Sequence, residues 1–155
     1  MRAWYDILGF DLNAAQDERG IRASDTAVTD LIRRENERGI PASRTVLAGF
    51  SQGGAICLFS GPRYPEKLAG IMGLSCYLPL ESRFAAERGS ANQATPIFLG
   101  HGTQDPIVDV RRGMHARQVL EAAGYPVEWH TYAMPHSVCP QEVADIAAWL
   151  RRALP

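Results

Sequence analysis

Apolar positions along this chain alternate between the spacing of a helix and the short runs of a strand. From Asp25 to Arg38, Val28, Leu31, Ile32 and Glu35 fall at helical spacing with charges on the opposite face. Gly39 and Pro41 end that helix. Thr45–Phe50 is an apolar strand, and a helix from about Gly53 to Ser60 is cut by Gly61 and Pro62. Leu68–Ser75 reads as a second, buried strand and Pro96–Gly100 as a third. Between them, residues 79–95 are polar and Ala-rich and hold at most a short helix. Val110–Ala123 is a helix with Met114, Leu120 and Ala123 on its apolar face, closed by Gly124. Val127, Trp129 and Thr131 alternate with Glu128, His130 and Tyr132 in a fourth strand. Pro140 suits the first turn of a last helix, along which Val143, Ile146, Ala147, Leu150 and Leu154 form an apolar stripe. Residues 1–24 read as irregular and polar.

Strand and helix thus alternate four times, the signature of an α/β fold with a mostly parallel sheet and right-handed crossovers. The chain of 155 residues is long enough for one domain, 1–155, with its own core. Hydrophobic residues make up 46% and charged residues 21%, a globular rather than a disordered composition. Net charge is −1 and no basic stripe is present, which argues against nucleic acid as a partner. No apolar run approaches the ~20 residues of a membrane span, and Met1–Asp6 has no signal segment, so a cytoplasmic location is expected. Cys57, Cys76 and Cys139 are odd in number and widely spaced, and read as buried or half-buried thiols. The four histidines lack metal-binding spacing, so neither a metal nor another cofactor is expected.

The chemistry concentrates at Gly49-Phe-Ser-Gln-Gly-Gly54. Here Gly-x-Ser-x-Gly lies between a strand and a helix start, the setting of a nucleophile elbow with Ser51 at its tip. The flanking Gly49 and Gly53 are expected where a Cβ would not fit. A serine hydroxyl needs a base to take its proton. Asp105 lies in the loop after the third strand and His136 in the loop after the fourth, so both share one edge of a parallel sheet with Ser51. His136 would accept the Ser51 proton, Asp105 would orient the imidazole, and the Gln52 backbone N–H would donate to the oxyanion. His101 is the rival base, although it precedes Asp105 and reads better as packed under the loop. Asp109 is the rival acid but reads better as a helix cap. His115 is expected to be solvated and His130 structural.

Several stretches resemble the bacterial carboxylesterase/phospholipase family of α/β-hydrolases, which includes acyl-protein thioesterases and lysophospholipases. They are Trp4-Tyr-Asp6, Gly49–Gly54, Leu68–Pro79, His101–Val108 and Met134-Pro-His136. The resemblance implies a Ser51–Asp105–His136 triad, a Gln52 oxyanion N–H and hydrolysis without a cofactor. It also implies an earlier segment carrying a second oxyanion donor, so the chain reads as a truncated α/β-hydrolase that starts at the Trp-Tyr-Asp stretch.

The expected reaction is serine carboxylesterase hydrolysis of a small-molecule ester of short chain through an acyl-enzyme. The acyl group would lie against Tyr77, Leu78, Ile107 and Met134. Acyl-protein thioesterase or lysophospholipase activity is the alternative, and a fragment acting only as an interaction module is the third reading. The elbow strand, apolar on both faces through Val46, Leu47, Ala48 and Phe50, would lie at the edge of the sheet. A homo-oligomer covering that edge is therefore expected, unless residues 1–24 fold back over it.

Overall fold

The computed structural model describes residues 3–7 and 16–154. Four parallel strands form one sheet in the order β1-β2-β3-β4: β1 Val46–Phe50, β2 Gly70–Leu74, β3 Ile97–Gly102 and β4 Val127–Tyr132. The register runs Gly49 beside Gly73, Gly73 beside Leu99, and Leu99 beside Trp129. Five helices flank the sheet among the described residues: α1 Glu18–Glu37, α2 Gln52–Ser60, α3 Glu81–Glu87, α4 Val110–Ala122 and α5 Pro140–Ala153. β2 and β3 are buried along their whole length, whereas β1 and β4 form the two edges.

Alternate residues of the inner strands feed two apolar layers, as the pleat requires. Leu47, Ile71, Ile97 and Leu99 pack with α1, α2 and α4 in the larger layer. Met72, Leu74 and Phe98 pack with Trp149 of α5 in the smaller one. α5 packs mainly on β3 and β4, with Trp149 reaching Met72 of β2, and Ala48 and Phe50 of β1 stay exposed.

Three helices depart from the sequence reading. α1 begins at Glu18, one turn and more before Asp25. Asp17 caps it by accepting from the Gly20 N–H at 2.9 Å. Ile21 and Ser24 extend the buried row that continues through Val28 and Ile32. The polar Ser24 hid that row, because its hydroxyl is buried by donating to the Trp4 carbonyl. Residues 3–7 and 16–17 are irregular as expected, and residues 8–15 lie outside the described residues.

On α4 the buried positions are Gly113, Ala116 and Leu120, while Met114 is 45% exposed. Gly113 faces inward because His101 fills the space a side chain would need. On α5 the buried residues are Glu142 and Trp149, and Val143 is 55% exposed. Its inner face carries Glu142 in line with Ile146, Trp149, Leu150 and Ala153, so the expected stripe is rotated by about one position.

Candidate active site

Ser51 stands between β1 and α2 at φ 54° and ψ −121°, a backbone conformation costly for a residue with a Cβ. Such strain persists only where the surroundings impose it. Gly49 is one reason it can form here. A Cβ at Gly49 would run into the backbone of Gly53 and Gly54, so the strand and the first helical turn meet with no side chain between them. Gly53 contradicts the expectation made for it. A Cβ there would meet only the Trp4 indole nitrogen, at an ordinary 3.6 Å. The second tight position is Gly54, whose Cβ would come within 2.9 Å of Cys76 Cβ and Sγ. The elbow therefore needs glycine two residues before and three after Ser51.

The structure brings Asp105 and His136 together. Nδ1–H of His136 donates to Asp105 Oδ2 at 2.6 Å, and the Asp105 side chain is fully buried. Its other oxygen, Oδ1, accepts from the Ile107 and Val108 N–H groups, each at 2.8 Å. Burial pushes the Asp105 carboxyl up, but the hydrogen bonds from His136, Val108 and Ile107 outweigh it and hold the group below its ordinary value. Asp105 is therefore an ionised, three-times-bonded acceptor facing an imidazole edge.

The His136 ring also packs on Phe50, with centroids 4.6 Å apart. Phe50 is the residue before Ser51, so the loop after β4 reaches across the strand ends to the elbow. No hydrogen bond links the Ser51 hydroxyl to His136 among the described residues. Such bonds are often long in unliganded sites and shorten when substrate binds.

Gln52 opens α2, and its backbone N–H belongs to the first turn, where donors have no partner inside the helix. Its side-chain amide donates to the Tyr5 carbonyl at 2.9 Å. The Tyr5 and Tyr77 hydroxyls share a 2.7 Å hydrogen bond, and the Arg112 guanidinium lies 3.7 Å from the centre of the Tyr77 ring. Beyond Tyr77 opens a groove of about 920 Å³, walled by Tyr77, Leu78, Leu80 and Glu81 on one side and by Arg112, Met114 and His115 on the other. Tyr77 and Leu78 thus face an open space. Ile107 and Met134 do not line that groove: Ile107 is 56% exposed and Met134 is buried.

His101 is fully buried and donates from Nε2 to the Val108 carbonyl at 2.8 Å. Burial lowers its pKa, and it packs under the acid loop as the sequence suggested. Asp109 caps α4 by accepting from the Arg111 N–H.

The chain as a whole is similar to known proteins. The sequence profile described as phospholipase/carboxylesterase matches residues 1–154. The chain belongs to the phospholipase/carboxylesterase family. Among curated relatives, it is 44% identical to acyl-protein thioesterase 1 of Neurospora crassa, covering 100% of this chain and 66% of that protein. It is 38% identical to acyl-protein thioesterase 1 of Mycosarcoma maydis, covering 100% of this chain and 70% of that one. The crystal structure of Arabidopsis thaliana SOBER1 superposes with a TM-score of 0.93 at 31% identity, over 99% of this chain and 74% of that chain. Zea mays acyl-protein thioesterase 2 gives 0.85 at 28% identity, over 99% and 73%. The chain spans about two thirds of the length of the curated relatives it matches.

Two parts of this candidate site were beyond sequence reasoning. Phe50 was read only as an apolar strand residue, and nothing in the sequence placed a loop three strands away upon it. Tyr5 sits in the Trp4-Tyr-Asp6 stretch that carries the resemblance, but its hold on Gln52 and Tyr77 needs the fold.

Proposed function

We propose that this chain is a serine hydrolase of acyl esters and thioesters that works through an acyl-enzyme. Ser51 is the nucleophile, His136 the general base and then acid, and Asp105 the group that orients the imidazole. The Asp105–His136 hydrogen bond, with Phe50 seating that histidine beside the elbow, is the observation that carries this reading.

His136 takes the Ser51 proton as Oγ attacks the acyl carbon, and the carbonyl oxygen gains the negative charge. The Gln52 N–H at the start of α2 donates to that oxyanion, and the positive end of the helix adds to the stabilisation. His136 then returns the proton to the leaving alcohol or thiol. Water attacks the acyl-enzyme, with the same histidine removing its proton, and Ser51 is regenerated with release of the carboxylic acid. Asp105, held ionised by three donors, stabilises the imidazolium in both halves.

On the substrate, curated relatives carry the name acyl-protein thioesterase, and the groove beyond Tyr77 has Leu78, Leu80 and Met114 among its walls. Both support S-acylated protein over a short-chain ester, with the acyl chain along Tyr77, Leu78 and Leu80. A fluorophosphonate is expected to add once, at Ser51, by intact-mass and peptide mass spectrometry. A palmitoyl thioester is expected to be turned over with a lower KM than p-nitrophenyl butyrate. An adduct elsewhere would contradict the mechanism, and equal KM values would return the substrate to short-chain esters.

We also propose that two copies associate through β1. Among the described residues its five positions have a strand neighbour on one side only, and beside them runs an apolar groove of about 280 Å³ walled by Trp4, Leu31, Val46, Leu47 and Ala48. A two-fold axis at Ala48 would pair β1 antiparallel with its copy, and a net charge of −1 leaves little repulsion between them.

A further inference from the structure

We infer that Phe50 is a positioning residue that fixes the plane of the His136 imidazole and so aims Nε2 at Ser51. This rests on the triad proposed above. A histidine held by one hydrogen bond is still free to swing about that bond, because its ring torsion is broad and roughly two-fold. His136 has a single anchoring hydrogen bond among the described residues, from Nδ1 to Asp105 Oδ2 at 2.6 Å. That bond selects the tautomer but leaves the direction of Nε2 open.

The ring of Phe50 supplies the second constraint. It lies 4.6 Å from the imidazole, centroid to centroid, with the planes inclined by 48°. The histidine is held at one edge by Asp105 and packs at a tilt against Phe50, and its side chain keeps 16% exposure. Phe50 is also the residue joined by a peptide bond to Ser51. The nucleophile and the platform for its base therefore sit on consecutive residues at the end of β1, and their separation is set locally. The loop carrying His136 comes from β4, on the far side of β2 and β3. Without this platform, the distance between base and nucleophile would inherit any movement of that loop.

The contact has an electrostatic part. During each half-reaction His136 becomes an imidazolium, and the face of an aromatic ring attracts a cation. A platform of equal bulk without a π face would seat the ring but lose that attraction. Phe50→Leu and Phe50→Tyr separate these contributions from simple filling of space.

The test measures kcat and KM on p-nitrophenyl butyrate for the wild type, Ser51→Ala, Phe50→Leu and Phe50→Tyr. The His136 ring signals are followed by 1H–13C NMR in the resting proteins, and melting temperature reports on folding. Phe50→Leu is expected to lower kcat roughly ten-fold with KM unchanged, from the size of such ring–cation contacts. Its melting temperature is expected to hold, since Phe50 is 37% exposed. Phe50→Tyr is expected to restore kcat. The His136 ring signals should move in Phe50→Leu and stay in Phe50→Tyr, because ring current depends on the aromatic face. Ser51-dependent activity that is untouched by Phe50→Leu, or unmoved His136 signals, would overturn the inference and leave the triad standing. Ser51→Ala as active as the wild type would overturn both.

Discussion

Gly49 and Gly53 flank Ser51 alike in sequence, yet the fold makes different demands on them. A Cβ at Gly49 collides with backbone that cannot withdraw, whereas one at Gly53 finds room. Gly49→Ala is accordingly expected to cost at least about 2 kcal/mol of stability by overpacking, and Gly53→Ala to be neutral or stabilising by up to ~1 kcal/mol, by chemical denaturation. Asp105 allows a second expectation. Asp105→Asn keeps the shape but leaves an amide where His136 Nδ1–H needs an acceptor, and kcat should fall by about 10³–10⁴ in steady-state assays. Ser51, Asp105 and His136 could be put forward as candidates from sequence because a strand-turn-serine-turn-helix pattern and the order of the later loops are local facts, and the fold joins Asp105 to His136. Phe50 could not, because its partner comes from a loop beyond two intervening strands.

Among the elements, the four strands were legible because β2 and β3 are buried runs bounded by Gly, Pro and polar turns. The start of α1 was not, because a serine sits in its buried row. The face of α5 was misread for a related reason: a carboxyl at Glu142 reads as solvent-facing. It is in fact fully buried where Gly100 of β3 leaves space, and neither oxygen has a hydrogen-bond partner. Burial, with Asp145 one turn along, pushes its pKa from 4.5 up to about 7. The folded chain therefore holds this proton over a range where the unfolded chain has released it. Stability falls as pH rises from 4.5 to about 7, then levels once both states are ionised. Asp105 acts in the opposite sense, contributing stability that is lost in acid as its depressed pKa is crossed. Glu142→Gln is expected to flatten the decline between pH 5 and 7 in denaturant titrations. A decline of unchanged slope would mean another group carries it.

At the scale of the whole molecule, the sheet is closed by helices on one layer and only partly covered by α5 on the other. Among the described residues β1 also has a strand partner on one side only, with an apolar groove beside it. The expected consequence is a dimer, seen as twice the chain mass by light scattering at micromolar concentration, and a charged residue at exposed Ala48 should shift it toward monomer. A monomer in the wild type would remove the β1 interface. The fold as a whole places the three strand-end loops carrying Ser51, Asp105 and His136 at one edge of a parallel sheet, where such sites form. That convergence is the central claim, and it is tested most directly by the hydrolysis rate of p-nitrophenyl butyrate for the wild type beside Ser51→Ala. The wild type is expected to exceed the variant by about 10³-fold or more. Equal rates would contradict a catalytic Ser51.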